Sequence, residues 1–314
     1  MIVREDLDEA AAWLAGRVIR TPVIRCAPLD VLAGARLWLK AENLQRGGSY
    51  KFRGAMHAVG RAAERGATGI VTQSSGNLGI AVAMAAAEFG LPATVVSTTT
   101  AEQTKMDLIR EHGAETIQVT GFAEECRAIA EHVRDSRGHT FVDSYGDHDV
   151  ITGLGTAALE LIEDAGALDA LIVPVSSACG LAGAVLAAGG GGISVYGAEP
   201  AAIGGLDASL LLGKPARVEP EHTIADALVT RGPGSVTFDL VKDAVSGAIP
   251  VKEDEIARAV TLALFEAKLL LEPAAAVGLA AALGGLGSGH QDIGIVLTGG
   301  NVSHAMVKKL VGDG

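Results

Sequence analysis

Short apolar runs alternate along this chain with longer amphipathic stretches, and this alternation restricts the fold more than any composition value does. Strands are expected at 37–39, 69–73, 93–97, 116–119, 170–175, 193–198 and 293–298. Helices are expected at 55–65, 79–89, 102–112, 122–136, 153–164, 180–188, 254–269, 274–284 and 301–311. Such a series predicts an α/β protein whose open, largely parallel sheets carry helices on both faces. Ahead of it, Leu7, Ala11, Leu14 and Val18 recur at helical spacing, and Asp6 with Glu9 has the spacing of a capping box. A first helix is therefore expected to run to about Val18 and stop before Thr21-Pro22.

A chain of 314 residues holds two modest domains or one large α/β unit, and no repeat or low-complexity linker marks a boundary. Aromatics make up only 4%, so Ala, Val and Leu must fill the core. With 25 basic and 37 acidic residues the net charge is 25 − 37 = −12. That balance, with no basic cluster, argues against nucleic acid or an anionic membrane as partner. Cys26, Cys126 and Cys179 lack metal-ligand spacing, and an odd number does not make a full disulfide framework. A reducing cytoplasm is the expected location. The charged start Arg4, Glu5, Asp6, Asp8, Glu9 is unlike a signal peptide. Ala170 to Ala198 carries no charge, but Pro174, Ser176, Ser177 and Gly189 to Gly192 interrupt it. It reads as strand, turn, short helix and strand, not as a membrane span.

Chemistry concentrates at Lys51 in Gly47-Gly48-Ser49-Tyr50-Lys51-Phe52-Arg53-Gly54-Ala55. A lysine amine held neutral condenses with an aldehyde, and a small Gly-Gly-Ser turn gives it room to reach a cleft. Taken alone, Lys51 reads as a surface lysine snorkelling from a helix start, which is what most lysines do. Three further segments place polar groups after a strand. Thr72-Gln73-Ser74-Ser75-Gly76-Asn77-Leu78 offers hydroxyls and free N–H groups for a carboxylate, or simply a helix cap. Val173 to Gly180 has the strand–turn–helix order that binds a phosphate dianion on backbone N–H groups. Thr298 follows an apolar strand and precedes Gly299-Gly300-Asn301. The glycines at 189–192 come after a helix and before a strand, which places them at the other end of the sheet as a connection.

Residues 37–55, LWLKAENLQRGGSYKFRGA, resemble the cofactor-lysine segment of the fold-type II pyridoxal-phosphate enzymes, in the serine/threonine dehydratase and serine racemase branch. Further landmarks follow in family order across nearly the whole chain: Thr21-Pro22, Ser74-Ser75-Gly76-Asn77, Val173-Pro174-Val175, Glu199-Pro200, Thr223-Ile224-Ala225-Asp226, Glu272-Pro273 and Thr298-Gly299-Gly300-Asn301. Ordered matches of this kind are more specific than any single motif.

The resemblance implies a tryptophan synthase β-like fold with the cofactor in a cleft between a large domain (1–52 and 143–314) and a small substrate-closing one (53–142). It implies pyridoxal 5'-phosphate on Lys51 and a cofactor cup made of Tyr50, Asn77, Ser176, Ser177, Ala178, Cys179, Gly180, Ala227 and Thr298. Tyr50 and Ala227 would bracket the ring, Asn77 would meet its phenolic oxygen and Thr298 its nitrogen, with Glu272 nearby. Ser74, Ser75, Gly76, Asn77 and Leu78 would hold the substrate, and Ser75 is the counterpart of the racemase residue on the far cofactor face. Three departures stand out: Ser-Ser-Ala-Cys replaces four glycines at 176–179, Ala227 replaces a glycine, and Leu78-Gly79 follows Asn77 where His is common. Glu199 matches the start of the family's divalent-cation site, yet Gly205 stands where a carboxylate is expected. The expected activity is β-elimination from a small β-hydroxy amino acid such as L-threonine or L-serine, giving a 2-oxo acid and ammonia. Racemisation or β-replacement by the same cofactor is the near alternative, and a non-catalytic scaffold the distant one. The family also implies a homodimer.

Overall fold

Two sheets share the strands of this chain. The computed structural model describes residues 2–312 apart from Ser75 and Phe122. Among those residues the strands are β1 (Val23–Ile24), β2 (Arg36–Lys40), β3 (Ile70–Gln73), β4 (Ala93–Thr98), β5 (Glu115–Val119), β6 (Thr140–Val142), β7 (Ala170–Pro174), β8 (Ser194–Pro200), β9 (Gly247–Val251) and β10 (Asp292–Val296). The α-helices are α1 (Arg4–Leu14), α2 (Ala27–Ala33), α3 (Lys51–Glu64), α4 (Asn77–Glu88), α5 (Gln103–Glu111), α6 (Ala123–Arg137), α7 (His148–Ala165), α8 (Cys179–Ala188), α9 (Gly205–Leu212), α10 (Ser235–Val241), α11 (Glu253–Phe265), α12 (Pro273–Leu283) and α13 (His304–Val311).

The larger sheet has the order β1-β2-β10-β7-β8-β9 and the smaller β5-β4-β3-β6. Every pairing is parallel except β1 with β2. This is the expected α/β architecture. Strand β7 shows why it needs helices on both sides. Leu171 and Val173 enter one apolar cluster with α3, α7 and α8, whereas Ala170 and Ile172 enter another with α11 and α12. Successive strand side chains point to opposite faces, so a run apolar at every position must be covered twice. The uncharged stretch 170–198 resolves into β7, α8 and most of β8, and no helix among the described residues is long and apolar enough to cross a membrane.

The landmark Arg53 proves to be structural. It is fully buried; its guanidinium donates to both oxygens of Glu42 at 2.8 Å and to Glu160 at 2.7 and 2.8 Å. Lys40, equally buried, donates to Glu160 at 2.6 Å, and Thr21 donates to Glu42. Burial lowers the pKa of Arg53, but Glu42 and then Glu160 outweigh it and raise the net value. Breaking such a network leaves a buried charge unpaired and costs about 3–5 kcal/mol. The lysine-bearing helix α3 is thereby fastened to β2 and α7.

The structure corrects several boundaries. Helix α1 runs from Arg4 to Leu14 and not to Val18; Asp6 lies inside its first turn, its carboxylate accepting the Val3 N–H at 2.8 Å, so the cap is built on Asp6 and Val3 and not on Asp6 with Glu9. Helix α3 begins at Lys51 and not at 55, and α7 begins at His148, where Asp147 caps it. Helix α13 starts only at His304, with Ser303 as cap, and α11 ends at Phe265. Strands β1, β6 and β9 and helices α2, α9 and α10 have no counterpart in the expected series.

Candidate active site

Lys51 owes its position to two loops locked together. Gly47 and Gly48 hold φ of 67° and 72°, a region open to glycine but costly to other residues. Ser49 bridges Gly299, the Tyr50 N–H donates to Thr298 O at 2.9 Å, and the Gly300 N–H donates to Gly48 O at 2.9 Å. A Cβ at residue 48 would lie 2.2 Å from Asn301 Oδ1, so only glycine permits this contact. The zipper brings residues 49–51 against 298–301, segments almost the length of the chain apart. Lys51 then projects from the first turn of α3 into a cleft that Asn77, Ser176, Ser177 and Ala227 also line.

Opposite it, the turn from β7 into α8 presents backbone donors. Among the described residues the N–H groups of Ser176, Ser177 and Ala178 have no acceptor, and they lead into a ten-residue helix. Unpaired N–H groups and the positive end of a helix dipole suit a dianion. The side chains behave differently from the expectation. Ser177 Oγ and Cys179 Sγ both donate to Ser144 O, at 2.5 and 2.9 Å. Cys179 is 2% exposed, and burial pushes its thiol up to about 12. Both groups are engaged with the main chain, and the half-buried Ser176 lines the cleft beside Ser177. Ala178 takes φ 68°, an unusual left-handed geometry for a residue with a Cβ. Gly180, in the first turn, lies against the ring edge of Tyr50, which is buried beside the cleft. The Lys51 Nζ stands 5.2 Å from the centre of that ring.

Asn77 opens α4 and is buried. Its Nδ2 donates to Glu272 Oε1 at 2.7 Å, and its Oδ1 accepts from Asn301 Nδ2 at 2.9 Å. Ser74 Oγ accepts the N–H groups of Gly76 and Gly79, at 3.2 and 3.0 Å, so its hydroxyl shapes the turn at the start of α4. Gly76 and the buried Leu78 line the cleft; Ser75 lies outside the described residues. Thr298 is buried beside the lysine loop, and Ala227 is exposed in the cleft.

A family model for pyridoxal-phosphate dependent enzymes matches residues 14–299. The chain belongs to this family. It is 35% identical to an L-threonine ammonia-lyase of Thermotoga maritima over 317 residues, covering 100% of this chain and 79% of that one. It is 37% identical to an L-threo-3-hydroxyaspartate ammonia-lyase of a Pseudomonas species, covering 95% and 94%. The solved serine racemase from Dictyostelium discoideum superposes with a TM-score of 0.90 at 33% identity, covering 96% and 99%. Fold-type II architecture is thus established for this member of the pyridoxal-phosphate family.

The residues present fit that cofactor. An amine, unpaired N–H groups for a phosphate and a side-chain amide converge on one cleft, and a buried oxygen of Glu272 beside it has no partner among the described residues. The expected cation ligand does not converge with them. Glu199 spends both oxygens on the start of α9, accepting Leu206 N–H at 2.9 Å and Asp207 N–H at 2.8 Å. Its carboxyl pKa is raised by burial. Among the described residues no group of three or more His, Cys, Asp or Glu side chains gathers to hold a metal.

One cleft residue escaped sequence reasoning. Lys105, on α5, is 5% exposed, and its Nζ meets Asp226 Oδ2 at 3.0 Å across the cleft. Burial lowers its pKa, but Asp226 together with Glu272 and Glu102 outweighs this and the net shift is upward. A lysine in the first turn of an amphipathic helix looks like a surface residue, and no spacing in the sequence signals its partner 121 positions away.

Proposed function

We propose that this protein is a pyridoxal-phosphate-dependent ammonia-lyase converting a small β-hydroxy amino acid, such as L-threonine or L-serine, to a 2-oxo acid and ammonia. The observation that carries this reading is the placement of Lys51 in one cleft with the N–H groups of 176–178 and the amide of Asn77. Similarity to two ammonia-lyases adds to it. Bound pyridoxal phosphate supplies an electron sink for negative charge at the substrate Cα. The N–H groups of 176–178 would hold its phosphate, Thr298 its ring nitrogen and Asn77 its phenolic oxygen. The turn at Ser74–Gly76, at the start of α4, takes the substrate carboxylate. Lys51 would hold the cofactor through its amine and would take the proton from the substrate Cα. The β-hydroxyl leaves as water after protonation, and hydrolysis of the resulting enamine returns one water and releases ammonia.

Racemisation is the second reading, favoured by the similarity to serine racemase; it needs a proton returned from the opposite face, the role assigned to Ser75. In the same reading, residues 53–142 close over the substrate while 1–52 and 143–314 hold the cofactor. The enzyme works as a cytoplasmic homodimer without nucleic-acid or membrane partners, in keeping with its net charge of −12. With both Glu199 oxygens engaged, no divalent cation is proposed at that residue.

The test is a screen of L-threonine, L-serine and related hydroxy amino acids for 2-oxo acid release and enantiomer formation, with Lys51→Ala alongside. The parent should release oxo acid and the variant at least about 1000-fold less. Borohydride reduction with bound cofactor should label Lys51. Release of enantiomer alone would favour the racemase reading; label on another residue would overturn the site.

A further inference from the structure

Glu272 holds a polar atom that the fold leaves unanswered. The residue is 2% exposed at the start of α12, and its Oε2 has no hydrogen-bond partner among the described residues. Its Oε1 is the acceptor for Asn77 Nδ2, while Asn77 Oδ1 accepts from Asn301, which also donates to Gly47 O at 2.7 Å. A side-chain amide has one carbonyl and two N–H hydrogens. In Asn77 the carbonyl and one hydrogen are committed, so one N–H remains for the cleft. The backbone is shaped around this contact: a Cβ at Gly299 would stand 2.3 Å from Glu272 Oε1.

The two ends of an amide have nearly the same shape, so packing alone does not choose between them. An ionised carboxylate does, because it only accepts; turning the amide over would set Oδ1 against Oε1. We propose that Glu272 is a positioning residue that fixes which end of the Asn77 amide faces the cofactor cleft, and thereby governs cofactor affinity. The proposal rests on the reading of this cleft as the cofactor site with Asn77 at the phenolic oxygen.

The charges facing Glu272 make the device sensitive to pH. Burial raises its pKa most, Lys105 from α5 lowers it, Asp226 raises it, and Asn77 and Lys51 lower it; the result is a carboxyl titrating at about 7. Above that pH the carboxylate accepts only. Below it the neutral acid both donates and accepts, and its preference for one amide orientation is lost.

The experiment titrates pyridoxal phosphate into apoprotein by absorbance at pH 8 and pH 6, for the parent, Asn77→Ala, Glu272→Leu, the double variant and Glu272→Gln. At pH 8 each of Asn77→Ala and Glu272→Leu should weaken binding about tenfold, and the double variant should bind no more weakly than Asn77→Ala alone. From pH 8 to 6 the parent should lose several-fold more affinity than Glu272→Gln, which cannot titrate. Additive losses in the double variant, or the same pH dependence in parent and Glu272→Gln, would overturn the proposal. Should Glu272→Leu fail to fold, the comparison of parent with Glu272→Gln decides the matter. Unchanged binding by Asn77→Ala would instead show that the site reading beneath it is wrong, and the proposal would fall with it.

Discussion

Helix α8 has a cleft-facing end without consecutive glycines and, at its other end, a glycine-rich turn. At its start, Ser176, Ser177 and Ala178 offer N–H groups to the cleft while Ser177 and Cys179 anchor the turn to Ser144. Past its end, Gly189 to Gly192 are exposed and change only the direction of the chain, with φ of 57°, 68° and 84° at 189, 190 and 192. There Arg4 from α1 donates to Ala187 O at 2.8 Å, a cation at the negative helix end. A turn with free N–H groups is therefore marked by position, after a strand and before a helix, and not by glycine content. The cost of building it without glycine appears at Ala178, whose left-handed backbone is disfavoured by roughly 1–2 kcal/mol.

The contrast can be broken most strongly at Gly180. In Gly180→Ala the added Cβ would lie 2.6 Å from Tyr50 Oη, so the ring or the helix must shift. A loss of about 1–3 kcal/mol in unfolding free energy is expected, with weaker pyridoxal phosphate binding by absorbance titration. Ser177→Ala removes one of two donors to Ser144 O and should cost about 1 kcal/mol in chemical denaturation. If stability and cofactor affinity both stay at parent values, the anchor is not holding the turn. Ala178→Gly and Gly190→Ala form a mirror pair that sharpens the comparison. Relief of strain at 178, less the entropy gained by the unfolded chain, should stabilise the protein by about 0.5–1 kcal/mol. Gly190→Ala meets no atom within 4 Å but has φ 68°, so it should destabilise by a similar or smaller amount. Its pyridoxal phosphate affinity should match the parent, and a weakened affinity would show that the two helix ends are not independent.

The strands with a strong sequence signal are mostly those buried inside a sheet. β7 is apolar throughout, and β8 and β10 are apolar at most positions, because both faces are covered. The strands without such a signal, β1, β6 and β9, all lie at sheet edges. They are two to five residues long, and β9 contains Pro250, which an edge tolerates because one side needs no donor. In the site, Lys51, Asn77 and the 176–180 turn were legible because each follows a small-residue turn or a strand. The roles of Ser177 and Cys179 as anchors were not legible, since their acceptor is a main-chain carbonyl of Ser144 that no residue type encodes.

By itself, the sequence determined the α/β class, because hydrophobic period and local turn chemistry are properties of neighbouring residues, while its motifs in order carried the resemblance to the family. Only the tertiary structure decided that Arg53 is a buried clamp, that Lys105 crosses the cleft to Asp226, and that Glu272 holds one end of Asn77. Those contacts join segments far apart in the chain, and the desolvation that gives them their strength exists only once the sheets and helices have closed around them.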